Sequence, residues 1–476
     1  MSGTIQRSGE DQAGSQVTLE MLGLRRYRMG LIPAAALALT GCVGTPIAIT
    51  EMSAALSAEL ATASADAEVP VSLAAGFKTA VARAVQTNAG YRATLASERE
   101  AASRVGVAES VRKPQLSADA SLGGIREFGA DRSTNNGISG GISLSQLVYD
   151  GGESVAAINR ATAEALGAQA ERAARANDLA LDIARAWIDA WQYGERLRLL
   201  RARTEEMNTL VGQIERMATN GMLDRAARDS ARRQIVDIQL EETRLQSDMA
   251  DAQVRFRRYF RQAPGRLSRP DDVITPAAAR ALSRNWQGAP SLEARAASVI
   301  SARHSVQEAE AAFSPRLRLQ TGLRTPLESG DPTSGTLGLG IDYSLLDGGR
   351  RAHQLEAAIA RRAASEEQLR EAQTTLEAEL EAALVRLSGI TRSMPLVAEQ
   401  ILLSESEAGT ARSQIATGQS SLRQLVEAEI QNYRARDRQV AMQAERQILL
   451  LTIAALTGAL AEIIGLGTDQ NAGAHD

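Results

Sequence analysis

Apolar and polar positions along this chain change period in a fixed order, and the order occurs twice. From Val71 to about Arg112 apolar residues recur at helical spacing. Lys113-Pro114 ends that pattern, because proline disfavours helical geometry in the residue before it. The period then drops to two. Leu116, Ala118, Ala120 and Leu122 take one face, and Gln115, Ser117, Asp119 and Ser121 the other. Gly129, Asp131, Asn135, Asn136 and Gly137 form a turn region. A return strand is expected from about Ile138 to Tyr149, with Ile142, Leu144 and Val148 on one face. Asp150-Gly151-Gly152 stops it. A long helical pattern follows to about Met217, with Leu179, Ile183, Trp187 and Trp191 in one apolar series. Thr219-Asn220-Gly221 marks a turn, and a further helix is predicted from about Leu223 to Phe260.

The second copy begins with a helix through Ala294–Phe313, ended by Ser314-Pro315. Leu317, Leu319, Thr321 and Leu323 then alternate with Arg316, Arg318, Gln320 and Arg324. Gly330, Asp331 and Pro332 mark the turn. Leu337, Leu339, Ile341, Tyr343 and Leu345 alternate with polar and glycine positions on the return. Asp347-Gly348-Gly349 repeats the first motif 197 residues later, and Gly418 repeats Gly221 at the same offset. A second long helix is expected between these two points, and another after Gly418 to about Leu460. The equal offsets indicate duplication with little insertion in either copy.

The four alternating stretches are predicted at about residues 115–127, 138–149, 316–326 and 335–346. Each is about as long as a transmembrane β-strand. An isolated hairpin is marginal, and an open sheet in lipid leaves its edge groups unpaired. Four strands are too few to close a pore, so several subunits must share one barrel. The competing reading places the strands on a soluble core, but the flanking helices far outrun any such hairpin. At 1.5 Å per residue the helix from Glu153 to Met217 spans about 100 Å.

Composition narrows the picture. Charged residues are 23% and apolar residues 44% of 476, so disorder throughout is excluded. Aromatics are only 3%, which suits alanine-rich helices packed side by side better than a round core. The net charge is -4 with arginines interleaved among acids, which gives no nucleic-acid footprint. One cysteine, Cys42, excludes an intrachain disulfide and a cysteine metal cluster. Arg25, Arg26 and Arg28 precede the apolar run Leu31–Leu39, and Leu39-Thr40-Gly41-Cys42 follows, as in an export signal. The final four residues resemble a bacterial lipobox, whose cysteine becomes lipidated with palmitate among its acyl chains. An ordinary signal peptide with an incidental cysteine is the other reading. Met21 is either preceded by a long n-region or is itself the start.

The expected organisation is an export signal with lipobox over 1–42, an extended segment over 43–70, a first helix-hairpin-helix repeat over 71–262, a linker over 263–277, a second repeat over 278–465, and a loose tail over 466–476. The linker carries Pro264, Gly265, Pro270 and Pro276 and is expected outside the helical body. Leu449–Gly467 is apolar, but Glu462 and Gly458 favour a packed terminal helix over a membrane span.

This layout, with its proline-ended helices, repeated Asp-Gly-Gly and matching glycine turns, resembles the bacterial outer membrane efflux protein family, the TolC-like channel-tunnels. The resemblance covers about residues 71–465. It implies a mostly α fold with membrane β: a homotrimeric α/β-barrel channel-tunnel, four strands per subunit in a shared 12-stranded barrel, and long helical hairpins in the periplasm. Implied partners are outer membrane lipid, a periplasmic adaptor protein and an inner membrane ABC or proton-driven transporter. Implied cargo is small molecules or, in type I secretion, unfolded protein. The Asp150, Gly151, Gly152 and Asp347, Gly348, Gly349 motifs would be barrel-to-tunnel junctions, and Gly221 and Gly418 the helix turns at the constricted entrance. In the family an Arg and two Asp follow the second glycine. The matching positions here are Ser420, Gln424 and Glu427, and only Glu427 is acidic. Three-fold symmetry would make it a carboxylate ring that favours cations; a solvated helix-face charge is the plainer alternative. Arg423 lies beside that line. Asp224, Arg225, Arg228 and Asp229 are candidate entrance contacts from the first half.

Enzyme readings find no support in the residues. His304, His353 and His475 form no ligand cluster, so neither a metal nor a cofactor is expected. The glycine pairs lack the remaining glycines and the lysine of a phosphate loop, and no strand–Gly-x-Ser-x-Gly–helix elbow occurs. The reading is a passive outer membrane exit duct of a tripartite export system. A non-channel periplasmic adaptor or structural lipoprotein is the alternative.

Overall fold

The computed structural model describes residues 49–65, 69–126, 134–220, 225–270, 272–326, 332–416 and 422–466. Residues 1–67 and 68–476 are separate units. In the first, helix α1 (Ile49–Ala65) corrects the expected extended segment over those residues. Its run of alanines, leucines and glutamates has strong helix propensity, which outweighs the interspersed Ser and Thr. Cys42 lies outside the described residues.

The second unit repeats one pattern. Its first half comprises α2 (Phe77–Thr87), α3 (Ala89–Ser110), β1 (Gln115–Arg126), β2 (Thr134–Tyr149), α4 (Glu153–Thr219) and α5 (Arg225–Phe260). The single helix expected from Val71 starts at Phe77 and breaks at Asn88. The Asn88 side chain accepts from the Gly90 and Tyr91 amides and so caps α3. Then come α6 (Pro276–Leu282) and a 3-10 turn (Ser283–Gly288). The second half follows as α7 (Pro290–Ala311), β3 (Arg316–Pro326), β4 (Ser334–Asp342), α8 (Arg350–Ala416), α9 (Leu422–Leu456) and the short α10 (Leu460–Ile463). The repeats match closely: α3 and α7 are both 22 residues long, and α4 and α8 both 67. Pro395 lies within α8 without ending it.

The four strands form one antiparallel sheet in the order β1-β2-β3-β4. Register keeps like with like. Leu116 faces Leu144, which faces Thr321, which faces Leu337. Ser117, Ser143, Gly322 and Thr336 make the alternate row. The apolar face is exposed at Leu116, Ile142, Leu323, Leu337 and Ile341. Three strand details differ from the sequence reading. β2 begins at Thr134, because Asn135, Asn136 and Gly137 pair with β1 rather than turning. β4 stops at Asp342, ahead of the expected 346. A register shift between Leu147 and Tyr149 puts Tyr149, not Val148, opposite Leu317.

The main core lies among α2, α4, α5 and α9, with Val81, Ile183, Ile188, Phe256, Ile453 and Leu460 fully enclosed. The scarce aromatics concentrate there. Trp187 meets Phe77 at 5.7 Å and Phe260 at 5.6 Å, and Phe256 stacks on Phe260 at 4.3 Å. Elsewhere small residues set the packing: on α4 a Cβ at Gly167 would lie 3.3 Å from the Ala297 Cβ of α7. The linker is not outside the body as expected. Pro270 and Ile274 are buried, and Gln447 of α9 donates to the Pro270 carbonyl at 2.6 Å. The last long helix ends at Leu456 rather than Leu460. Gly458 there has φ 81°, and a Cβ on it would lie 2.3 Å from Pro290 Cδ. No described helix is long and apolar enough to cross a membrane.

Candidate functional site

The two strand-to-helix junctions share one local design. Gly151 and Gly152 have φ of 68° and 93°, and Gly348 and Gly349 have 66° and 87°. Residues with a Cβ avoid this left-handed region, so the double glycine is the means of turning the chain. The preceding aspartate then secures the helix start. Asp150 accepts from the Gly152 amide at 3.0 Å and the Ser154 amide at 2.7 Å. Asp347 accepts from the Gly349 amide at 3.1 Å and the Arg351 amide at 3.3 Å. Each carboxylate satisfies donors that the first helical turn leaves open and places negative charge at the positive end of a helix.

Their surroundings differ. Burial pushes the Asp150 carboxyl up, but hydrogen bonds from Ser154 and Gly152 and the charge of Arg112 outweigh it, so the carboxyl sits below its ordinary value. Asp347 is also held below its ordinary value, chiefly by the Arg351 guanidinium at 2.6 Å. Arg351 further donates to the Ser344 carbonyl at 2.6 Å and lies 5.2 Å from the Phe313 ring. A Cβ on Gly151 would fall 2.3 Å from Ser314, whereas one on Gly348 would meet nothing within 4 Å. Arg316 grips Glu153 with two bonds of 2.6 and 2.9 Å, which ties the start of β3 to the start of α4.

On the polar face of the sheet Asp119, Gly141 and Arg324 lie in one cross-strand row. Arg324 reaches over Gly141 to Asp119 at 3.4 Å. A Cβ on Gly141 would sit 3.0 Å from the Asp119 carboxylate, so glycine leaves the ion pair its room.

At the helix tips Gly221, Asp224, Gly418 and Ser420 lie outside the described residues, as does the side chain of Arg423. Glu427 and Gln424 share one exposed groove between α8 and α9. Glu427 accepts from Gln431 at 2.8 Å. Arg228 turns to its neighbour Asp229 at 3.2 Å. Above the tips is a charged cluster that sequence reasoning missed. Arg203 of α4 donates to Glu429 of α9 at 2.7 Å, and both are buried. Arg203 also meets Glu206 at 3.0 Å, and Arg412 of α8 bonds to both Glu206 and Glu429. Burial pushes the Arg203 guanidinium down, against the pull of Glu429 and Glu206. A signal existed in the sequence: Arg203 interrupts the buried series Leu200, Met207, Val211 and Ile214. Among the described residues no group of three or more His, Cys, Asp or Glu is placed to hold a metal ion.

Two repeats that each pass from long helices into a hairpin of a shared sheet, through a fixed Asp-Gly-Gly turn, define a protein that joins a membrane-type sheet to a helical conduit wall. The outer membrane efflux protein family model matches residues 80–260 and 281–459, one stretch per repeat, and the chain belongs to that family. Solved structures share its fold. CusC aligns with a TM-score of 0.70 at 16% identity, over 82% of this chain and 92% of its own. VceC of Vibrio cholerae aligns at 0.68 and 18%, over 80% and 96%. The open-state MtrE outer membrane channel of Neisseria gonorrhoeae aligns at 0.68 and 17%, over 80% and 89%. No curated protein matches the sequence significantly. The fold is therefore the channel-tunnel fold, mostly helical with four antiparallel strands per chain.

Proposed function

We propose that this protein is the passive outer membrane exit duct of a tripartite export system. The carrying observation is a four-stranded sheet with one exposed apolar face, one polar face and two open edges, set on paired long helices. In lipid such edges require partners, and three copies closing a 12-stranded barrel supply them. The apolar face then meets lipid and the polar face lines water. The helices form the periplasmic tunnel wall, against which an adaptor protein and an inner membrane ABC or proton-driven transporter dock. That transporter supplies the energy and selects the cargo, which is a small molecule or a type I secretion protein. The duct itself carries no chemistry.

Residues 1–42 act as the export signal and Cys42 as the acylation site, which anchors the chain to the outer membrane. Palmitate labelling that survives Cys42→Ser would exclude that site. Glu427, with Gln424, Ser420 and Arg423 nearby and Asp224 and Arg228 from the first half, forms the selective entrance between the turns at Gly221 and Gly418. Purified protein added to a planar bilayer should give stable stepwise conductance; a protein that inserts yet never conducts would refute the duct.

A further inference from the structure

Over most of the chain arginines alternate with acids, but residues 255–284 break that habit. They hold eight arginines and two aspartates, in a chain whose net charge is -4. Arg255, Arg257 and Arg258 end α5, and Arg261, Arg266 and Arg269 follow in the linker region. Arg280 lies in α6 and Arg284 in the 3-10 turn. All eight are exposed. Gln447 and Arg446 of α9 hold the linker at Pro270 and Asp272. Beyond it α6 packs on α9, and the 3-10 turn touches α7, α8 and α9. The arginines therefore form a belt across the helical body on a fixed backbone.

Little of this charge is spent within the chain. Arg255 meets Asp189 at 3.3 Å, and Asp272 is taken by Arg446. The other seven form no ion pair among the described residues. Helix physics explains only part of the belt. Arg257 and Arg258 in the last turn of α5 suit its negative end. Arg261 runs against local preference. Its φ is 58°, and among the described residues every other positive φ belongs to a glycine. The matching position of the second repeat is Gly458, with φ 81°, the residue type that helix ends favour there. Residues 255–269 hold six arginines, whereas the matching residues 452–466 hold no Arg or Lys. The duplicated fold thus does without the charge, and the backbone disfavours it at Arg261.

Position and surface restrict the partner. The 22 residues of α7 separate the belt from β3 by about 33 Å, several Debye lengths at physiological salt. Lipid headgroups around the sheet are out of reach. Folded protein partners bury an apolar centre, yet no large apolar side chain is exposed among the described residues of 255–288.

We propose that the arginine belt binds a carboxylate-bearing polymer of the cell wall, the mesh that a duct through the periplasm must cross. Guanidinium forks pair with carboxylates, and exposed cations spread along a belt suit a polymer that repeats its carboxylates. Three copies would carry the belt around the conduit. This rests on the periplasmic placement of the helices in the proposed duct.

The test uses the purified full-length protein in mild detergent and cell-wall sacculi stripped of bound protein. The protein should sediment with the sacculi at low salt and be released as salt screens the contact. Amidating the sacculi carboxylates with carbodiimide and ammonia should abolish sedimentation, an arm that needs no variant. Replacing Arg257→Gln, Arg258→Gln, Arg266→Gln and Arg269→Gln together should weaken binding at least about tenfold. The same change at four exposed arginines off the belt, Arg99, Arg104, Arg370 and Arg386, should leave binding at the parent level. Protein that conducts in bilayers yet stays in the supernatant with untreated sacculi would overturn the belt and leave the duct standing. Equal binding to amidated sacculi, or equal loss in both sets of variants, would overturn it too. Belt-dependent sedimentation of a protein that never conducts would support the belt and count against the duct.

Discussion

The two ends of the helical body are held by different physics. At the sheet end, both junctions use the same backbone conformation, with double glycines at positive φ and an aspartate on the first helical amides. Near the tips, α4, α8 and α9 are joined by an ionic cluster built on the buried Arg203–Glu429 pair, which the other repeat does not carry at its matching positions. The position matching Arg203 is Gln400, and that matching Glu429 is Arg232. The sheet end repeats because both hairpins must enter one sheet at one angle. The tip end bears no such constraint, so its chemistry is free to differ between halves, and with it the entrance.

The largest effect should come from the tip cluster. Glu429→Ala leaves the buried Arg203 with only the more exposed Glu206 as a partner and should cost about 3 kcal/mol, read as a large drop in thermal midpoint by circular dichroism in detergent. The paired change Arg203→Met with Glu429→Leu should recover most of it, since replacing a buried pair with apolar residues is often neutral. Recovery failing there would mean that the ion pair does more than satisfy itself.

Next is Gly151→Ala, which forces a Cβ into Ser314 as well as an unfavourable φ. It should cost about 2–4 kcal/mol. Gly348→Ala, with the same φ, should cost only about 1–2 kcal/mol in a single chain. Equal losses in the assembled protein would show that a second copy fills the space beside Gly348.

Asp150→Ala removes a helix-start acceptor and should cost about 1 kcal/mol. Because the folded carboxyl lies below its ordinary value, its contribution is complete above the unfolded value of about 4 and is lost as pH falls through the folded value. Asp150→Asn should therefore flatten the acid limb of a stability–pH curve, lowering stability near neutrality and converging on the parent protein in acid. The smallest effect on stability is expected for the exposed Glu427. Glu427→Gln should leave the thermal midpoint unchanged and shift the bilayer reversal potential toward anions; an unmoved potential would remove it from the entrance.

Legibility in the sequence followed the range of the interactions. Asp150-Gly151-Gly152 was readable because glycine's φ and aspartate's capping act within four residues. The strands were readable because alternation is a local period, yet the bulge near Val148 was not, since it depends on pairing with β3. The Arg203–Glu429 pair joins positions 226 residues apart, so only the charge interrupting an apolar stripe hinted at it. The helix Ile49–Ala65 is poorly legible because its alanines, the local sign of a helix, are interspersed with Ser and Thr and no clear apolar stripe marks one face. Gln424 and Glu427 do lie in one groove, as their three-residue spacing requires, while Arg228 engages Asp229 instead.

The central claim is that four strands per chain close a barrel only by sharing it. Native mass spectrometry of the protein extracted in mild detergent tests it most directly. Three chains per particle are predicted, persisting on dilution; a stable single-chain particle that still retains its β-sheet signal would contradict the account.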